Sequence, residues 1–236
     1  MRILMLSDIH ANPWAFDAVL GDAGTVDHLL FAGDAVNYGP DPRAVIARLQ
    51  KRGAISVRGN HDHAVAYVAD PRASAAKQSL ALAMRDWTRA QLDAGQRTWL
   101  ARLPLHLIWE IGGVRMALYH GTPHGPLFDY EFVPNLPPRR VKELVCGVEA
   151  DLLVLGHTHL PFVRPCGHLT IVNPGSVGQP LDGDPRAAYA VWQDGHITLG
   201  RVAYDVDAAA DALDQTELRP EQRDALSATL RTGRME

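Results

Sequence analysis

The chain is poor in the features that mark several special classes of protein. Its 236 residues include only two cysteines, Cys146 and Cys166, and these form no C-x-x-C. A disulfide framework is therefore not expected, and a reducing cytoplasm is the expected compartment. Basic residues number 23 against 27 acidic ones, a net charge of −4. That balance offers no basic footprint for nucleic acid and none for an anionic membrane surface. The longest apolar runs are strand-sized, far short of the ~20 residues a membrane-spanning helix needs. The opening MRILMLSDIH turns acidic too soon for a signal peptide. No repeat or low-complexity linker divides the chain.

The composition is that of an ordinary globular protein, 47% hydrophobic, in a length that can bury roughly 70% of its unfolded surface without staples. RILMLS reads as a buried strand. NPWAFDAVLGDA follows as a helix, with Asn12 as N-cap and Pro13 at its first position. VDHLLFAGD is a second strand, PDPRAVIARLQKRG a second helix, and AISVRGN a third strand. This alternation predicts an α/β domain with parallel pairing. Between residues 72 and 102, Leu80, Met84, Trp87 and Gln91 recur at helical spacing, with Ala76, Ala83 and Ala90 on nearby faces. Residues 103–121 read as a hairpin turning at Gly112–Gly113. A helix entered through Pro138 and a buried strand, DLLVLGH, come next. PFVRP, HLTIVNPG, AAYAVWQ and HITLGRVAYD suggest a second, antiparallel sheet. One domain, 1–236, is expected, with a helical insertion at about 64–102 and a helical tail at about 206–236.

Histidine is plentiful: 11 occur, including His157-Thr-His159 and His61-Asp-His63. At this composition chance supplies roughly 0.5 such pairs, so the spacing alone decides little. The wider pattern decides more. Five expected strands end in residues able to bind metal: Asp8 and His10; Asp34; Asn60, His61 and Asp62; His120; His157 and His159. Ligands of α/β sheets collect beyond the carboxyl ends of the strands, where residues distant in sequence converge. In an extended segment an i,i+2 pair shares one face, or in a loop it can serve adjacent metals; a helix would splay the pair by about 200°. Gly33, Gly59 and Gly156 directly precede these residues and permit close backbone approach. The mixed N/O donor set suits a transition metal better than calcium.

The ordered series D-x-H, G-D, G-N-H-D, H-G and G-H-T-H over residues 8–159, extended by NPGSVGQP at 173–180, resembles the calcineurin-like metallophosphoesterases, most of all their small bacterial and archaeal phosphodiesterase branch. The resemblance implies an α/β fold: a four-layer αββα sandwich of two mixed β-sheets flanked by helices. It also implies two divalent transition metal ions, manganese foremost, with Fe, Zn, Co or Ni as alternatives. Asp8, His10 and His159 would hold one ion and Asn60, His120 and His157 the other, with Asp34 bridging. Such a centre would activate water for attack on phosphorus. His61 is the expected general acid and Asp62 its orienting carboxylate, with a helix cap as the alternative for Asp62. His63 is expected to be a solvated neighbour.

Arg58, Tyr38 and His124 are the candidates for substrate contact, with Tyr130 placed between substrate contact and packing. Asn173 and Gly175 are expected to form a turn beside the site. One departure stands out. Serine/threonine protein phosphatases and symmetrical dinucleoside tetraphosphatases carry G-D-x-V-D-R-G, whereas this chain has GDAVNYG, Gly33 to Gly39. Tyr38 cannot supply the bidentate charged fork of that arginine. The expected activity is hydrolysis of phosphodiesters in small or nucleotide-like substrates. Alternatives are a dinucleoside polyphosphate or nucleoside diphosphate hydrolase and, further off, a protein phosphatase or a non-catalytic scaffold.

Overall fold

The computed structural model describes residues 1–73 and 78–235; Ala76, assigned above to a helix face, lies outside them. In chain order the elements are β1 (Arg2–Leu6), α1 (Pro13–Ala23), β2 (His28–Phe31), α2 (Pro42–Lys51), β3 (Ile55–Ser56), α3 (Asn60–Tyr67), α4 (Gln78–Gln91), α5 (Ala94–Arg102), β4 (His106–Ile111) and β5 (Val114–Tyr119). They continue with α6 (Pro138–Leu144), β6 (Leu152–Val154), β7 (Phe162–Cys166), β8 (Leu169–Asn173), β9 (Ala187–Gln193), β10 (His196–Val202), α7 (Val206–Asp214) and α8 (Pro220–Thr232). The strands form two five-stranded mixed sheets, ordered β10-β9-β1-β2-β3 and β4-β5-β6-β8-β7.

Alternation along the strands generates four layers. In β1, Ile3 and Met5 point one way and join Leu30, Met116, Leu118, Val154 and Val172 in a core between the two sheets. Leu4 and Leu6 point the other way and pack with Phe16, Val19, Val45 and Ile46 of α1 and α2. On the far side, Leu153 and Ile171 meet Val141 and Leu144 of α6. Strands buried on both faces read as continuous apolar runs, as those of parallel sheets do, which is why β1 and β6 carry no polar alternation.

Local signals hold where they rest on capping or turn chemistry. Asn12 Oδ1 accepts the Ala15 N–H at 3.1 Å and caps α1. Gly112 and Gly113 both have positive φ, 57° and 77°, the conformation a two-residue hairpin turn demands. Two expectations are corrected. The last four strands do not form a sheet of their own: β7 and β8 join one sheet and β9 and β10 the other. The third strand is cut to Ile55–Ser56, because Asn60 already opens α3. The helical stretch between 72 and 102 breaks in two at Asp93, whose carboxylate accepts the Gln96 N–H at 2.8 Å while Gln96 reaches back to the Asp93 N–H. This capping box starts a new helix. The most buried residues of α4 are Ala81, Met84 and Thr88, with Leu80 and Trp87 half-buried beside them.

Helices α4, α7 and α8 share a separate apolar cluster of Ala81, Met84, Ala209, Leu213, Leu226 and Leu230. Buried Tyr38 belongs to the same cluster. It connects these helices to the loop after β2, and so to the end of the sheets where the ligand-type residues gather.

Candidate metal centre

The loops that leave β1, β2, β5 and β6 meet at one end of the sandwich. Backbone bonds brace them: Asp8 N–H donates to Gly33 O at 2.9 Å, His10 N–H to Asp34 O at 3.0 Å, and Gly156 N–H to His120 O at 2.9 Å. Asp8, His10, Asp34, His157 and His159 all have positive φ, between 46° and 67°. So the i,i+2 pairs are not extended segments sharing a face; each lies in a left-handed loop just past its strand. Such a conformation costs a non-glycine residue ~1–3 kcal/mol and persists where its surroundings over-determine it. Two glycines serve by close approach instead. A Cβ on Gly59 would lie 2.0 Å from Asp34 Oδ1, and one on Gly156 would lie 1.9 Å from Ser7 Oγ.

Two groups of potential ligand atoms result, Asp8–His10–His159 and Asp34–His120–His157, all buried. Asp34 Oδ2 lies 3.9 Å from His10 Nε2 and 3.2 Å from His120 Nε2, so one oxygen faces both groups. Asn60 Oδ1 sits 3.0 Å from His120 Nε2 and joins the second group. Three imidazoles are fixed by backbone carbonyls on Nδ1: His10 on Val36 O at 3.0 Å, His120 on Ala32 O at 2.8 Å and His159 on Gln179 O at 2.6 Å. A proton on Nδ1 leaves the Nε2 lone pair directed inward, the usual outer support of a metal-binding histidine.

Charge in the cluster is dominated by burial and by the two carboxylates. Burial alone would raise Asp8, but the neighbouring His159 overrides it and holds the carboxyl at about 2. Asp34 is likewise held well below the ordinary range despite burial, by His120 and His61. Burial pushes His10 down to about 3 against the pull of Asp34, and burial together with His120 pushes His157 far down. His120 goes the other way: burial opposes its charge, yet Asp34 lifts it to about 9.

The fit to a metal rests on atoms left without partners. Asp8 Oδ1 is buried without a hydrogen bond, 3.3 Å from His159 Nε2 and 3.8 Å from His10 Nε2. Nitrogens of paired imidazoles face each other at 3.3 Å (His10 and His159) and 3.0 Å (His120 and His157). An uncompensated buried charge costs several kcal/mol. Two buried carboxylates with converging imidazole lone pairs are what bound cations would compensate, and the N/O donor set suits divalent transition ions.

Some of the other expected site residues are placed differently. His61 lines the cavity beside the two groups, but Asp62 does not reach its ring. The Asp62 carboxylate accepts three backbone N–H bonds, from Asp34 at 2.9 Å, Ala35 at 2.9 Å and Gly59 at 3.0 Å. It caps α3 and fixes the Asp34 loop, and burial with the nearby Asp34 charge raises it to about 7. The group on His61 is Asn37, whose Nδ2 lies 2.9 Å from His61 Nδ1. Its position three residues after Asp34 in GDAVNYG was the available signal. Burial lowers the His61 pKa.

Arg58 is turned away from the cavity, donating to Tyr67 Oη at 2.9 Å and Ala101 O at 2.8 Å. His124 is also remote and exposed, with Nε2 3.4 Å from Glu143 O. Tyr38 does line the cavity, its ring 4.7 Å from that of His61. Tyr130 lies over His157 with ring centroids 3.6 Å apart. Asn173 braces the His157 loop, donating to Gly156 O at 2.8 Å and Thr158 Oγ1 at 3.1 Å while accepting the Gly175 N–H at 2.9 Å.

This arrangement of buried Asp and His residues able to hold metal at the strand ends of a two-sheet sandwich defines a class, and the chain belongs to it: residues 1–194 match the family model of the calcineurin-like phosphoesterase superfamily domain. The family is metal-dependent. The crystal structure of a metallophosphoesterase from Sphaerobacter thermophilus superposes with a TM-score of 0.83 at 32% identity, over 99% of each chain. The uncharacterized protein MJ0912 of Methanocaldococcus jannaschii is 30% identical over 92% of this chain and 93% of its own. The phosphodiesterase YfcE of Escherichia coli K12 is 29% identical, over 79% of this chain and 85% of its own. No helix among the described residues is long and apolar enough to cross a membrane.

Proposed function

We propose that this protein is a two-metal phosphodiesterase acting on small or nucleotide-like phosphodiesters. The observation that carries the reading is the single oxygen, Asp34 Oδ2, facing both ligand groups, of which His157 and His159 line a cavity of about 380 Å³. Asp8, His10 and His159 would hold one ion, Asn60, His120 and His157 the other, and Asp34 both. Two divalent ions so held, manganese foremost, would supply Lewis-acid activation of water and would neutralise charge on the phosphoryl oxygens.

The chain's own groups do the rest. His61 lines the cavity and is the proposed proton donor to the leaving oxygen. With the Asn37 amide turned so that its oxygen, buried and otherwise unpartnered, accepts from Nδ1–H, the ring carries a second proton on Nε2 for the leaving oxygen and returns to neutral imidazole on giving it up. Asp62 acts one step back, holding the Asp34 and Gly59 backbone in place. Tyr38 and Tyr130 wall the cavity and exclude water from one side. The helical insertion at about 64–102 and the helical tail at about 206–236, α7 and α8, are additions to one catalytic domain in this reading. Both cysteines are free, which agrees with a cytoplasmic protein.

A second reading, cleavage of dinucleoside polyphosphates or nucleoside diphosphates, is favoured by the Tyr130 ring, half-exposed at the cavity, which a base could stack on. The test is hydrolysis of bis-p-nitrophenyl phosphate with and without added Mn, beside a panel of nucleotides. Mn-stimulated diester cleavage that is abolished by Asp34→Asn is expected. An active Asp34→Asn protein would sink the mechanism.

A further inference from the structure

A phosphodiester brings a negative charge to the cavity, and GDAVNYG provides no arginine to meet it. Tyr38 stands there instead, buried against the rings of His10 and His61. Among the described residues lining the cavity, Arg72 is the only arginine or lysine. It comes from the segment between α3 and α4, far in sequence from the missing motif position.

Several observations fix Arg72 there. Asn60, a proposed metal ligand, donates from Nδ2 to Pro71 O at 3.0 Å, tying this segment to the centre. The Arg72 N–H donates to Asp70 Oδ1 at 2.7 Å, and Arg72 itself has φ 54°, a conformation that is costly for a non-glycine residue. Its guanidinium lies over the Phe128 ring, 4.4 Å from the centroid. A contact of this kind with a ring face consumes no N–H donor, so the guanidinium can still donate to a ligand. Among the described residues it makes no ion pair, whereas Arg85 on α4 is committed to Asp86. Arg72 also borders a second, open groove of about 460 Å³ along Leu105, Pro126 and Phe128. It therefore stands where the metal cavity and this groove meet.

We propose that Arg72 is the substrate-binding cation of this enzyme: it grips a non-bridging phosphoryl oxygen at the mouth of the metal cavity, with one ester substituent directed along the Leu105–Phe128 groove. This rests on the phosphoesterase reading above. A guanidinium stays charged at any working pH and matches two phosphoryl oxygens with its fork. A diester has two substituents to house, and a cation at the divide between two cavities suits that shape.

The test compares wild type, Arg72→Ala and Arg72→Lys, each loaded with Mn. Calorimetric titration with inorganic phosphate is followed by kinetics on bis-p-nitrophenyl phosphate. Arg72→Ala should weaken phosphate binding and lower kcat/KM by about 10- to 100-fold, the worth of a charge-assisted hydrogen bond. Metal content and melting temperature should stay at wild-type values, since Arg72 is exposed. Arg72→Lys should recover part of the phosphate affinity and less of the rate. Arg72→Ala binding phosphate within twofold of wild type would overturn the proposal. A wild-type protein that does not hydrolyse the diester contradicts the phosphodiesterase reading, while the phosphate titration decides the role of Arg72 by itself.

Discussion

The two His-x-His pairs have the same spacing and opposite geometry. His157 and His159 lie in a loop after β6, with φ of 67° and 60°. Both are buried, and they belong to different ligand groups. His61 and His63 lie in the first turn of α3, where an i,i+2 pair is splayed by about 200°. His61 faces His10 and Tyr38. His63 turns away to Tyr67 and Phe128, with ring centroids at 4.9 Å and 6.1 Å. Spacing becomes informative only with the backbone conformation beneath it. The first pair is split between two groups by left-handed loop geometry; the second is split between the site and the outside by helical geometry.

That contrast can be broken by substitution, and the largest effect falls on the first pair. His157→Ala and His159→Ala should each lower bound metal from two equivalents toward one and remove most activity, read by elemental analysis and diester hydrolysis. Retention of both ions in either variant would end the assignment of these residues to separate metals. His61→Ala should keep its metal yet lose about 10²–10⁴ in rate, most with poor leaving groups. An equal loss across leaving groups would count against proton donation. Between the two histidines, Asp62→Ala should act on the fold. Three buried N–H donors lose their acceptor, a cost of about 3–5 kcal/mol, visible as a melting temperature lower by roughly 10 °C. His63→Ala should be the mildest, within about twofold of wild type in kcat/KM, as expected for a side chain facing away from the centre.

The sequence made the seven ligand-type residues legible because each sits at the end of an apolar run that must become a strand, and strand ends of α/β sheets converge. The four layers followed less directly. β7–β10 look alike as short strands, and nothing local tells which sheet each will join; tertiary packing decides that. Asp62 misled for a physical reason. A carboxylate beside a histidine in sequence can orient the ring or cap a helix, and the backbone N–H groups of Asp34, Ala35 and Gly59 had the stronger claim. Arg58 was drawn away by the Ala101 carbonyl and the Tyr67 hydroxyl. Asn37 and Arg72 were hidden differently. The first stood in a motif position where another residue type was sought, and the second lay in a segment with no motif at all.

The central claim is that Asp34 joins two metal positions, and metal stoichiometry tests it most directly. Purified wild-type protein, equilibrated with Mn and freed of excess, should retain about two ions per chain, and Asp34→Asn should lose binding at both positions. Wild type that retains no transition metal after Mn addition, or Asp34→Asn that still holds two ions, would contradict the account.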